Sequence, residues 1–228
     1  MRKETRKYFF SVEGKTEKWY LEWLQHMIND EPSAFYFVKL DCQVQRDPIK
    51  RAKSIPIIGK VQITHVFDYE SEEPSHGQQF RATLDRMKDA QDIGKSIKYI
   101  LGYSNFAFEL WIVLHKADCR GALVHRRHYL EHLNRAYDEG FQSLDDYKQE
   151  DGFRRVLAKL TLEDVRQAIR RAEAITQKNQ ADGCVLQQYK GFEYYKENPS
   201  LSVWKSIRQI LDDCGLLEAC SSDSTPTD

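Results

Sequence analysis

The first half of the chain alternates apolar runs typical of β-strands with patterns typical of amphipathic helices. Strands are predicted over residues 7–13, 34–40, 61–67 and 96–103. Helices are predicted over residues 16–28, 78–92 and 104–115, and an irregular connection over residues 43–60. Such alternation is typical of an α/β fold, so we expect a mainly parallel sheet flanked by helices.

The second half of the chain has helix patterns only, over residues 126–138, 154–160, 162–179 and 200–213. Thr161 and Asp164 have the spacing of a capping box, and Gly215 is suited to end the last helix. We therefore expect an α/β core over residues 1–116, a helical C-terminal part packed on it over residues 117–218, and a flexible tail over residues 219–228.

Composition excludes several classes of protein. The 228 residues carry 34 Lys and Arg against 35 Asp and Glu, so the net charge of −1 does not by itself indicate a partner. The five cysteines have no CxxC spacing, which argues against a disulfide framework or a zinc site. The basic N-terminus is followed by no apolar region of signal-peptide length, and the apolar run over 106–114 is too short to span a bilayer. We expect a cytoplasmic protein that does not contact a membrane.

Carboxylates follow two of the predicted strands at the point where each strand ends. Glu13 is the last residue of the first strand, and Asp68 and Glu70 follow the third, with Tyr69 on the opposite side of the chain. In an open parallel sheet the functional groups gather at the carboxyl ends of the strands. If the two strands are neighbours, the three acids meet and need a cation, and oxygen ligands suit Mg²⁺ or Mn²⁺.

Interpretations that involve no functional site stay open for the same acids. Acids near turns are often only solvated, and Glu13 could instead cap the helix that follows it. Glu109, the single charge within FAFELWIVL, is either an acid stabilised by the first turn of a helix or part of the metal site. His115, near the end of the same helix, is either a partner of the helix dipole or a catalytic group.

Four motifs in this order resemble those of the RloB-like protein family, which includes the effector partner of the AbiL phage-defence system. VEGKTE at 12–17 resembles the opening motif of the family, and VFDYE at 66–70 resembles its acidic pair, with Glu70 where aspartate is usual. SNFAFELWIVLH at 104–115 resembles a third motif, with Phe106 in place of proline, and ENPS at 197–200 resembles the last.

The resemblance implies a Toprim-type core and metal-dependent cleavage of nucleic acid by the effector of an abortive-infection system with an ATPase partner. The acids that it implies as metal ligands are Glu13, Asp68 and Glu70, and Glu109 and His115 join them as catalytic or supporting groups. The competing hypothesis is a catalytically inactive module that binds nucleic acid or the ATPase. Nucleotidyl transfer, as in primases, is a third option.

Binding of nucleic acid, either DNA or RNA such as tRNA, requires local positive charge. Lys15, on the turn after Glu13, and Asn105, at the start of a predicted helix, are candidates to contact phosphate. The connection after the second strand supplies a basic group: Arg46, Lys50, Arg51, Lys53 and Lys60. Two further groups are Arg120, His125, Arg126, Arg127 and His128, and Arg166, Arg170 and Arg171. Each group could instead be an ordinary solvated surface.

Overall fold

A four-stranded parallel sheet with helices on both faces forms the first half of the protein. The structure is a computed structural model that describes residues 3–56, 59–71, 73–119 and 126–217. The strands are β1 (Thr5–Val12), β2 (Phe37–Val44), β3 (Val61–Tyr69) and β4 (Ile97–Asn105), and the helices between them are α1 (Lys15–Asp30), α2 (Pro48–Ser54) and α3 (Pro74–Gln91), with α4 (Glu109–Lys116) after β4. The strand order is β2-β1-β3-β4, which confirms the predicted α/β fold.

Helices dominate the second half, as predicted. They are α5 (Tyr129–Tyr137), which follows a 3₁₀ turn at Arg126–His128, then α6 (Leu144–Tyr147), α7 (Glu150–Leu157), α8 (Leu162–Ala181) and α9 (Val203–Asp213). The capping box of Thr161 and Asp164 is present, and Gly215 follows α9 with a φ of +70°. An antiparallel hairpin of β5 (Gln187–Tyr189) and β6 (Phe192–Tyr194) was not predicted.

Two apolar cores lie on opposite faces of the sheet. Alternation along β3 directs Val66 to one core, and Phe67 and Tyr69 to the other. The larger core contains side chains from α1, α4, α5, α7, α8 and α9, so the helical second half packs directly against α4 and the sheet. Among the described residues, no helix combines the length and the apolar character needed to cross a membrane.

The predicted helix over residues 104–115 is wrong in its first turn. Residues 104 and 105 belong to β4, where Asn105 is in register with Tyr69 of β3 and its backbone N–H donates to the carbonyl of Ser200 at 2.9 Å. Pairing on both sides outweighs the helix-start preference of Ser104 and Asn105, so α4 begins only at Glu109. The second strand is also displaced from its prediction, because its pairing with β1 runs from Phe37 to Val44.

The predicted C-terminal tail at residues 219–228 lies outside the described residues, as do Arg120 and His125 of the second basic group.

Candidate active site

Glu13 and Asp68 meet at the carboxyl ends of the two central strands. β1 and β3 are neighbours, with Val12 in register with Val66, so the residues that follow these positions lie side by side. The backbone N–H of Asp68 donates to Oε2 of Glu13 at 3.1 Å. The chain leaves β1 for β2 on one side and returns to β3 on the other, which makes this crevice a topological switch point, where α/β sheets commonly bind ligands.

Glu17 is a third acid at this edge, and it was not predicted as a site residue. It lies buried in the first turn of α1, where Thr16 Oγ1 donates to its Oε2 at 3.0 Å. A Cβ at Gly14 would lie 3.0 Å from the same oxygen, so the glycine leaves room for the carboxylate to fold back over the turn. The repeated acid in VEGKTE, four residues after Glu13, was the available signal.

Glu109 enters the same region from the first turn of α4. It is buried, and its Oε1 lies 3.0 Å from Nζ of Lys148. Its Oε2 and the hydroxyl of Tyr147 are buried without hydrogen-bond partners among the described residues. Lys148 follows α6 in the helical part, so it could not be assigned to this site from the sequence alone.

Burial and mutual repulsion raise the pKa values of acids in this region. Burial, then the charges of Glu17, Glu109 and Glu13, raise the pKa of Asp68 well above its usual range. Burial is also the main cause of the raised pKa values of Glu13 and Glu17. Of the cations nearby, Lys148 acts on Asp68 and Arg46 acts on Glu13. We refer to Glu13, Glu17, Asp68 and Glu109 as the acidic cluster.

Glu70 is not buried with the acidic cluster. β3 ends at Tyr69, so strand alternation no longer directs the next side chain inward. Glu70 is exposed, and its Oε2 lies 3.5 Å from Nε2 of His76. Its charge still contributes to the raised pKa of Glu13, after burial.

His115 is buried in the larger core and does not contact the acidic cluster. Its Nδ1 lies 2.8 Å from the carbonyl oxygen of Trp111, so Nδ1 carries the proton and donates it. Its Nε2 then accepts from the hydroxyl of Tyr20 at 3.0 Å. Burial lowers the pKa of His115 to about 4, so the ring is neutral near pH 7 and joins α1 to α4.

The predicted phosphate contacts differ in their surroundings. Lys15 and Lys50 are exposed. Arg51 is buried, and its guanidinium donates to the carbonyl oxygens of Phe10 and Asp41 at 3.1 and 2.7 Å and to Oδ1 of Asp41 at 2.7 Å. Arg51 therefore joins β1, β2 and α2 and is not available at the surface.

Asn105 is buried at the end of β4 and not at a helix start, which corrects the prediction. Its Nδ2 donates to the carbonyl oxygens of Tyr195, Lys196 and Glu197 at 3.0–3.2 Å. The amide thus holds the segment after β6 against the end of the sheet.

The remaining basic residues also differ in whether they are exposed or already engaged in ion pairs. Arg46 is exposed between β2 and α2 and is the member of its group whose charge acts on Glu13. Arg166, Arg170 and Arg171 are engaged by ion pairs with Glu163 or Asp118, or by backbone carbonyls. Arg127 and His128 are exposed.

The acidic cluster fits a hard divalent cation in donor type and in charge. Its four carboxylates offer only oxygen, and Lys148 is the one cation within 4 Å of any of them among the described residues. The unpartnered Oε2 of Glu109 is the kind of buried atom that a cation or its water shell satisfies. Within the described part of the chain, however, no three His, Cys, Asp or Glu side chains are placed so that they could hold a metal ion together.

Comparison with known proteins gives one result. A family model described as RloB-like protein matches residues 8–210, which is most of the chain. No curated protein and no solved structure matches.

Proposed function

Because this chain belongs to the RloB-like protein family, we propose that it is a metal-dependent nuclease that hydrolyses phosphodiester bonds of DNA or RNA. One observation carries the proposal: the contact between Glu13 and the backbone of Asp68 at the switch point of the sheet, with two more buried carboxylates beside it. Excess buried negative charge without matching cations is costly in a purely structural site and useful in a metal site.

Asp68 and Glu17 would hold Mg²⁺ or Mn²⁺ through their carboxylate oxygens. Glu109 is instead paired with Lys148, and Glu13 accepts from the N–H of Asp68. Such an ion, when bound, polarises a phosphoryl oxygen and favours the hydroxide form of water. Glu17 takes the place in this proposal that the motif resemblance gave to Glu70, since Glu70 is exposed beside His76.

Glu13 is the best placed general base. The N–H of Asp68 fixes one of its oxygens, and the side chain is only half-buried, so the other oxygen can reach water. Burial raises its pKa and makes the carboxylate a stronger proton acceptor than an ordinary glutamate. In the reaction, the water oxygen bonds to phosphorus as one of its protons passes to Glu13. The bond between phosphorus and the leaving oxygen breaks, and that oxygen takes a proton from solvent.

The test is cleavage of plasmid DNA, single-stranded DNA and total tRNA with Mg²⁺, Mn²⁺ or EDTA. We expect cutting of one substrate class that requires metal and falls at least about 100-fold in Asp68→Asn and Glu17→Gln. Glu13→Gln should lose cleavage but keep metal binding measured by calorimetry. Asp89→Asn, an exposed change on α3, is the matched control.

The second candidate is an inactive module that binds nucleic acid or an ATPase. The absence of a three-ligand arrangement among the described residues favours it. Tight binding of nucleic acid without cleavage in any metal, unchanged by Asp68→Asn, would replace the nuclease with this module.

The cellular role that we propose is that of effector in abortive infection, acting with an ATPase partner; its support is family membership. Expression together with the neighbouring genes should reduce plaque formation by phage, and Asp68→Asn should abolish that protection. Equal protection by the variant would show that the cellular role does not depend on the acidic cluster.

A further inference from the structure

Lys148 is the link between the helical part and the acidic cluster. It directly follows α6, and its backbone N–H donates to the carbonyl of Leu144 at 2.9 Å. The next helix, α7, packs on α1 through Phe153 and Trp19, whose ring centroids are 6.2 Å apart. Because α1 also carries Glu17, the lysine and the cluster are positioned by the same packed elements.

The ammonium of Lys148 is oriented toward the acids but remains accessible. Nζ lies 3.0 Å from Oε1 of Glu109, while 38% of the side-chain surface is exposed. Burial opposes its charge, but Glu109, followed by Asp68 and Glu17, outweighs that effect and raises its pKa. The group is therefore a permanent cation near pH 7.

A counter-ion role alone does not account for this arrangement. One ammonium cannot neutralise four carboxylates, and the Lys148 side chain stays open to solvent although the Glu109 side chain beside it is buried. An ammonium has three donors, and the described contact with Glu109 uses one of them. The others can reach an anion that approaches the cluster from solvent.

We propose that Lys148 is a catalytic residue whose ammonium binds a non-bridging oxygen of the scissile phosphate. This inference rests on the proposed nuclease function and adds a substrate contact to it. Lys148 stays protonated throughout and stabilises the charge on the phosphoryl oxygens, while Glu109 keeps the ammonium in place.

The experiment compares Lys148→Met and Lys148→Arg with wild type and with Arg154→Met, an exposed residue of α7 that pairs with Glu150. Single-turnover cleavage is measured at saturating substrate. Binding of a fluorescent single-stranded oligonucleotide in Ca²⁺ is measured as a function of salt. Thermal unfolding verifies that each variant is folded.

We expect Lys148→Met to lower the cleavage rate about 100-fold or more, and Lys148→Arg to recover part of it. The slope of log affinity against log salt should fall by about 0.7 in Lys148→Met, the value for one phosphate contact with a single strand. Arg154→Met should change neither quantity. A lower rate with an unchanged salt slope would make Lys148 a positioning residue for Glu109 and overturn the proposed contact.

Two further results separate the inference from the proposed function. If wild type cleaves and Lys148→Met cleaves equally well, the inference fails and the nuclease stands. If wild type cleaves nothing, the nuclease proposal and the catalytic role fail together. Should Lys148→Met not fold, the double variant Glu109→Gln/Lys148→Met removes both charges, and its salt slope decides whether the phosphate contact exists.

Discussion

Arg51 and Lys50 are adjacent residues whose roles the structure separates. Both were predicted to bind substrate, but Arg51 is buried among backbone carbonyls and Asp41, and Lys50 is exposed. Arg51→Met should lower the free energy of unfolding by about 2–4 kcal/mol, because it removes the buried partner of Asp41 and leaves carbonyl groups unpaired. Lys50→Met should change it by less than about 0.5 kcal/mol.

Urea unfolding of the two variants measures this difference. Equal stabilities would show that the Arg51 hydrogen bonds contribute nothing net. An Arg51 variant that keeps wild-type stability but loses affinity for nucleic acid would restore the original interpretation of this residue as a substrate contact.

At the scale of elements, β2 is an edge strand whose outward groups are occupied by side chains of α1. Asn29 Oδ1 accepts from the N–H of Val38 at 2.7 Å, and its Nδ2 donates to the carbonyl of Val38 at 3.0 Å. Gln25 Oε1 accepts from the N–H of Leu40 at 2.8 Å. These amides imitate a neighbouring strand and block pairing with another chain.

Asn29→Ala should therefore destabilise the protein by about 1–3 kcal/mol and promote association through β2. His26→Ala, an exposed change on the same helix, is the control. Unfolding in urea and light scattering at rising protein concentration measure the two effects. A variant as stable and as monodisperse as the control would contradict the protective role of Asn29.

The sequence predicts some elements well and others poorly, depending on whether local pattern or long-range contact determines them. The apolar patterns located four parallel strands and the long helices, because hydrophobic periodicity records burial directly. The end of β4 was missed because Asn105 pairs with Ser200, a contact between residues far apart in the chain. Glu13 and Asp68 could be brought together by strand order alone, whereas Lys148 reaches Glu109 only through the packing of α7 on α1.

At the scale of the whole molecule, two buried neutral histidines make stability depend on pH. Burial lowers the pKa of His65 to about 3 and that of His115 to about 4. Ser11 Oγ lies 2.6 Å from Nδ1 of His65, and Tyr20 and Trp111 engage both nitrogens of His115. Both rings thus gain hydrogen bonds in the neutral form within the packed cores.

The direction in which pH changes the free energy of unfolding follows from proton binding. Below about pH 6.5 the unfolded chain protonates both histidines, while the native protein does not until about pH 4 or lower. The unfolded state then binds more protons, so the free energy of unfolding falls as the pH drops through this window. Each histidine contributes about 1.4 kcal/mol per pH unit. The raised pKa of Asp68 acts in the opposite direction, so the histidine contribution must be isolated by substitution.

The variant His115→Gln isolates the contribution of His115 to the pH dependence of stability, because glutamine cannot titrate and retains a donor and an acceptor. The variant should be less stable than wild type at pH 7.5, and this deficit should shrink by about 1.4 kcal/mol at pH 5.5. Urea unfolding at the two pH values measures how the stability deficit of the variant changes with pH. The control His26→Gln, on the exposed face of α1, should show no such change. A deficit that is the same at both pH values would mean that His115 titrates alike in the folded and unfolded chains, and that burial between α1 and α4 does not keep it neutral.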